Sequence, residues 1–71
     1  MAINQTTYER DGIIYDISTI MDEGYWWGKW TCLVCGVKGE SSKQCDEVRE
    51  AIDAAKINLG GHHAGVHLPR K

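Results

Sequence analysis

Polar and apolar residues alternate along residues 12–21, and this is the first regular pattern in the chain. Alternation with a period of two places every second side chain on the same face of a strand, so we expect a half-buried β-strand here. Residues 1–10 are mostly polar and show no period, which predicts a flexible lead-in. The core-facing positions of the predicted strand are Ile13, Tyr15, Ile17, Thr19 and Met21.

A turn signal at residues 22–24 separates this strand from a second one, which we expect over residues 25–33. Alternation places Trp26 and Trp30 on the core face and Trp27 on the opposite face. A sheet face with a tryptophan that no helix covers is a candidate contact surface. The sequence therefore predicts a protein partner or a homodimer at the face around Trp27.

A third, short strand is expected over residues 37–41, followed by a helix over residues 46–59. The Gly60-Gly61 pair is expected to end this helix. The predicted fold is α+β, a three-stranded antiparallel β-meander packed by one C-terminal helix, in a single domain over residues 11–67 with a tail over residues 68–71. The apolar stripe of the helix consists of Val48, Ile52, Ala55 and Leu59.

Cysteines and histidines form two separate groups in the sequence, one in the middle of the predicted domain and one at its end. A Cys-x-x-Cys-Gly turn spans residues 32–36, between the second and third strands, and three histidines lie within residues 62–67. A helix over residues 46–59 spans about 21 Å at a rise of 1.5 Å per residue. Six residues of strand span roughly 20 Å. Because the helix returns along the sheet, the histidines should arrive beside the cysteine turn.

Two thiolates and two imidazoles form a common structural zinc site. Residues four apart on a helix point within about 40° of each other, so His63 and His67 are the preferred partners of Cys32 and Cys35. The prediction is one structural Zn²⁺ held by these four residues, and His62 can replace His63 if the helix breaks. The ligand types resemble those of the ββα Cys2His2 zinc finger, with a longer interval between the two pairs.

Two other interpretations of the thiols remain open at this point. Cys32 and Cys35 could be small buried hydrophobes with the histidines in a disordered tail, or they could form a redox pair. Redox-active Cys-x-x-Cys motifs usually lie at a helix N-terminus, where the dipole lowers the thiol pKa, whereas this motif lies between strands. Cys45 falls near the helix start, far from the turn, and is expected to be a bystander.

Charge and length exclude some functions. The chain has 71 residues, a net charge of −2 and a pI of about 5.8, so it lacks the basic footprint of a nucleic-acid-binding protein. The acidic residues within 46–50 would repel phosphate, which makes a nucleic-acid-binding finger the weakest alternative. Four protein ligands leave zinc no open position, so we expect no enzyme activity.

The cellular setting is predicted from the same composition. An odd number of cysteines argues against a secreted disulfide scaffold and favours a reducing, cytoplasmic compartment. No segment approaches the ~20 apolar residues of a membrane-spanning helix, so no membrane association is expected.

Two segments of the chain resemble the small domain of HicB-type antitoxins. They are Asp22–Trp26, with its Gly-Tyr-Trp strand, and Glu47–Lys56, with its Glu-Ala-x-x-x-Ala-like helix, and Gly39 lies between them. The resemblance implies a sheet-and-helix domain that binds a toxin partner. The Cys-x-x-Cys turn and the histidines depart from that family. A metal-free partner-binding domain is therefore the alternative to a zinc domain.

Overall fold

The computed structural model describes residues 3–67, which form a four-stranded antiparallel sheet with one helix packed across one face. The strands lie side by side in sequence order, and the helix runs without a break into a short π-helical turn. The α+β class and the C-terminal helix are confirmed. In chain order the elements are β1 (Ile3–Arg10), β2 (Ile13–Asp22), β3 (Tyr25–Cys32), β4 (Lys38–Glu40), α1 (Val48–His62) and the π-helical turn (His63–His67).

The expectation of three strands is wrong, because residues 3–10 of the predicted lead-in form strand β1 at the edge of the sheet. Residues 4–10 of this strand are exposed apart from half-buried Tyr8. A strand with one half-buried side chain shows no apolar alternation from which it could be predicted. Residues 1–2 and the predicted tail over residues 68–71 lie outside the described residues.

Two tight turns set the register of the first three strands. Asp11 and Gly12 have φ values of 51° and 82°, and Glu23 and Gly24 have φ values of 54° and 81°. Two consecutive residues with positive φ form the turn whose twist matches a β-hairpin. The predicted turn at residues 22–24 is confirmed, and the Asp11-Gly12 pair forms a second turn, between β1 and β2, that was not predicted from the sequence.

The core lies between α1 and strands β2 and β3. Tyr15, Ile17 and Trp30 are buried there against Leu59 of the helix. The helix backbone lies directly on the sheet, since a Cβ atom on Gly28 would lie 2.2 Å from a helix carbonyl oxygen. Trp26 packs at the other end in a smaller cluster of buried residues, Cys45, Ala51 and Ala54.

Helix α1 has a capping hydrogen bond at its start and ends later than predicted. The backbone N–H of Glu47 donates to the carboxylate of Glu50 at 3.2 Å, as expected at an N-terminus. The helix passes through the Gly60-Gly61 pair, because Leu59 directly before the pair and His63 two residues after it are fully buried. No helix within residues 3–67 is long and apolar enough to cross a bilayer.

Candidate metal centre

Four metal-ligating side chains converge at the end of the sheet where β3 stops and α1 arrives. Cys32 is the last residue of β3, and Cys35 lies in the turn that follows. His62 is the last residue of α1, and His67 is the last residue of the π-helical turn. One ligand atom from each residue lies within 4.8 Å of the other three. The predicted meeting of the cysteine turn with the end of the helix is therefore present.

Four of the six distances among these atoms lie within about 0.3 Å of the edges of a zinc tetrahedron. The Nε2 atoms of His62 and His67 lie 3.2 Å apart. Nε2 of His67 lies 3.3 Å from Sγ of Cys32 and 3.8 Å from Sγ of Cys35, and Nε2 of His62 lies 3.4 Å from Sγ of Cys35. Tetrahedral zinc, with bonds of about 2.0–2.1 Å to nitrogen and 2.3 Å to sulfur, requires separations of about 3.3 Å between nitrogens and 3.5 Å between nitrogen and sulfur.

Hydrogen bonding alone does not account for this arrangement. Nε2 of His67 has three close neighbours, the two cysteine sulfurs and Nε2 of His62. A neutral imidazole nitrogen carries either one lone pair or one proton, so it satisfies one such neighbour. A single cation at the centre would satisfy all four atoms together. The donor set and its spacing therefore fit a metal ion.

The turn after β3 favours the thiolate form of Cys32. Burial raises the pKa of this thiol, but backbone N–H groups of Cys35 and Val34 and the side chain of Cys35 lower it, and the net pKa lies below the ordinary value. The backbone N–H of Gly36 donates to the carbonyl oxygen of Cys32 at 2.8 Å, and Gly36 has a φ of 79°. Since the thiolate is the metal-binding form, the local backbone supports coordination.

The surroundings of His62 favour the neutral form of its imidazole. Burial lowers its pKa, and the neighbouring rings of His67 and His63 lower it further. Neutral imidazole is the form that binds metal ions. Its electrostatic surroundings therefore favour coordination over protonation.

The structure places His62, and not His63, among the four converging residues. His63 is fully buried, with Nδ1 lying 2.7 Å from the Tyr15 hydroxyl and Nε2 lying 2.8 Å from Oδ2 of Asp11. Both ring nitrogens are engaged, so His63 has no free atom for a metal. The other three predicted residues, Cys32, Cys35 and His67, lie in the cluster.

A local change of helix type explains why His62, and not His63, joins the cluster. On an α-helix, residues five apart diverge by about 140°, so the spacing of His62 and His67 argued against this pair. The chain instead adopts a π-helical turn over residues 63–67, whose wider turn brings the two rings together. Insertions of this type occur often at functional sites. The Gly60-Gly61 pair before the turn, which indicated a possible break of the helix, is the signal in the sequence that favours His62.

The remaining predicted features lie away from this cluster. Cys45 is buried and pairs with Trp26 through backbone hydrogen bonds of 2.8 and 3.1 Å, so it lies outside the cysteine–histidine cluster. Trp27 is half-buried on the face opposite the helix, and its indole N–H donates to the carbonyl oxygen of Asp22 at 3.1 Å. A protein partner or homodimer at this face stays a prediction.

No protein-family model, curated protein or solved structure matches this chain. The resemblance to HicB-type antitoxins therefore rests on the two short segments alone. The function must be argued from the cluster itself.

Proposed function

We propose that this chain is a small structural zinc domain, in which one Zn²⁺ is bound by Sγ of Cys32 and Cys35 and by Nε2 of His62 and His67. The agreement between four of the six separations of these atoms and the edges of a zinc tetrahedron carries the proposal. The lowered pKa values of Cys32 and His62, which favour the metal-binding form of each residue, support it.

The ligand types favour zinc over other common ions. Two thiolates and two imidazoles in a tetrahedron are typical of zinc, whereas magnesium and calcium take oxygen ligands. Four protein ligands complete the tetrahedron and leave no position for water or substrate. We therefore propose a structural metal and no catalytic activity.

The composition of the core explains why the domain would need a metal. The buried residues of α1 that face the sheet are three alanines and Leu59, so the helix contributes little apolar area. Domains of this size often rely on a staple when the core is small. A zinc ion joining the end of β3 to the end of α1 would fix the helix to the sheet, and its binding energy would add to the folding energy.

Metal content and thermal stability test this proposal together. Purified protein from zinc-replete medium should contain one equivalent of zinc, and a chelator should lower its melting temperature. Cys32→Ser and Cys35→Ser should weaken zinc binding to a similar extent. Cys45→Ala is the matched control, because Cys45 is a buried cysteine outside the cluster, and it should retain one equivalent. Absence of zinc, with a melting temperature that the chelator does not change, would refute the proposal.

A further inference from the structure

A second chain of polar groups lies beside the cysteine–histidine cluster and involves none of its four residues. It runs from the carboxylate of Asp11 through the ring of His63 to the hydroxyl of Tyr15. The side chain of His63 is fully buried, and so is Tyr15, whereas the side chain of Asp11 is 61% exposed. This series of hydrogen bonds therefore starts at the surface, in the turn between β1 and β2, and ends in the core.

The chemistry of the partners fixes where the protons lie when His63 is neutral. An ionised carboxylate can only accept, so Nε2 of His63 carries the proton and donates to Asp11 at 2.8 Å. Nδ1 then holds a lone pair and accepts from the Tyr15 hydroxyl at 2.7 Å. Both nitrogens of the buried ring are satisfied, so the ring is held in one orientation. Rotation of this ring would leave two buried polar atoms without partners.

The position of His63 connects this ring to the metal ligands. His63 directly follows His62 and is the first residue of the π-helical turn that ends at His67. The ring of Tyr15 makes edge-on contacts with both ligand histidines, at centroid distances of 6.3 and 6.4 Å. The same tyrosine thus holds His63 by its hydroxyl and supports the two ligand rings with its own ring.

We propose that Asp11 and Tyr15 are positioning residues for the metal site, which act through His63 by anchoring the π-helical turn that brings His62 and His67 together. This inference rests on the proposed zinc binding and adds the residues that set its affinity. Hydrogen-bonded groups that orient metal ligands typically change metal affinity by about 10- to 100-fold when they are removed. An anchor that acts through a neighbouring residue is expected near the lower end of that range.

Asp11→Gly is the cleanest variant, because Asp11 has a φ of 51° that glycine adopts without strain. Glu23→Gly is the matched control, since Glu23 occupies the equivalent position of the other tight turn with a φ of 54°. Zinc affinity would be measured by competition with a chelator of known affinity. Asp11→Gly should weaken zinc binding about tenfold relative to Glu23→Gly. Equal affinities in these two variants would overturn the inference.

Two further variants separate positioning from a general loss of stability. Asp11→Asn keeps an oxygen acceptor for His63 and should restore affinity to within about threefold of the unsubstituted chain. Tyr15→Phe removes the hydroxyl but keeps the ring, and it should weaken zinc binding while the cobalt-substituted protein keeps the absorption bands of a tetrahedral two-sulfur, two-nitrogen site. A change of band pattern, or no rescue by Asp11→Asn, would contradict positioning. If the unsubstituted chain binds no zinc, the proposed function itself fails. If it binds zinc and Asp11→Gly binds as tightly as Glu23→Gly, only the positioning inference fails.

Discussion

The Nε2 atoms of His62 and His67 lie 3.2 Å apart, although the two residues are separated by five positions on one continuous helical segment. A regular α-helix would turn these side chains away from each other by about 140°. The π-helical turn at residues 63–67 removes this divergence. The convergence of these two rings therefore depends on a local departure from α-helix, in a turn that begins at the buried residue His63.

Loss of His62 is expected to abolish the proposed tetrahedral site. His62→Gln should lower zinc affinity by more than roughly 100-fold, since removal of a group that only orients a ligand already costs 10- to 100-fold. Chelator competition measures the affinity, and the absorption spectrum of the cobalt form reports the ligand set.

His63→Gln is the neighbouring control for this experiment. The two histidines are adjacent, yet His63 bonds to Asp11 and Tyr15 and lies outside the cluster. His63→Gln should weaken binding and keep the cobalt spectrum of the unsubstituted chain. A lost two-nitrogen signature in His63→Gln, with a normal one in His62→Gln, would show that the ligand assignment is reversed.

The close approach of α1 to β3 predicts a large effect at Gly28. A Cβ atom at this position would lie 2.2 Å from the carbonyl oxygen of Ala51 and 3.0 Å from the Cβ of Ala55. Gly28→Ala should therefore force the helix away from the sheet and destabilise the fold by about 1–3 kcal/mol. The free energy of unfolding from chemical denaturation measures this loss.

Gly61→Ala, within helix α1, is expected to have no destabilising effect. A Cβ atom on Gly61 would have no neighbour within 4 Å, and alanine favours helix over glycine by about 0.8–1.0 kcal/mol. This variant should be at least as stable as the unsubstituted chain. Equal destabilisation by the two substitutions would contradict the packing of α1 on Gly28.

A buried hydroxyl under the helix offers a test in the stabilising direction. Thr19 is fully buried, and its Oγ1 finds no hydrogen-bond partner among the residues that the structure describes. An unsatisfied buried polar group costs about 1–3 kcal/mol, so Thr19→Val should raise the free energy of unfolding by about 1 kcal/mol.

Thr31→Val tests whether that gain is specific to burial. Thr31 lies on β3 and is half-buried, so its hydroxyl retains access to water. This variant should change stability by less than about 0.5 kcal/mol. A loss of stability in Thr19→Val would indicate that the hydroxyl is satisfied in solution.

The sequence predicted those parts of the fold that bury apolar side chains. Alternation along β2 identified Tyr15 and Ile17 as core residues, and helical spacing identified Ala55 and Leu59, because burial imposes the period of each element. Strand β1 could not be predicted from apolar alternation. It is held by backbone pairing at the sheet edge, and only Tyr8 among residues 4–10 is partly buried. Its turn residues, Asp11 and Gly12, carried the signal instead.

The sequence predicted where the candidate site lies in the fold, but it did not predict every residue of the site. The return of the helix to the cysteine turn follows from element lengths, and it correctly brought Cys32, Cys35 and His67 together. The choice between His62 and His63 depends on a π-helical turn, which no residue pattern specifies. The partners of His63 come from Tyr15 and Asp11, which are 48 and 52 positions away in sequence, and such contacts are set only by the packed fold.

X-ray absorption at the zinc edge tests the central claim most directly, because it counts and identifies the atoms bound to the metal. For protein loaded with one equivalent of zinc, we predict two sulfur atoms at about 2.3 Å and two nitrogen atoms at about 2.0–2.1 Å. The sulfur shell should fall to one atom in Cys35→Ser and stay at two in Cys45→Ala. A first shell of oxygen atoms, or one with no sulfur, would contradict a site built from Cys32, Cys35, His62 and His67.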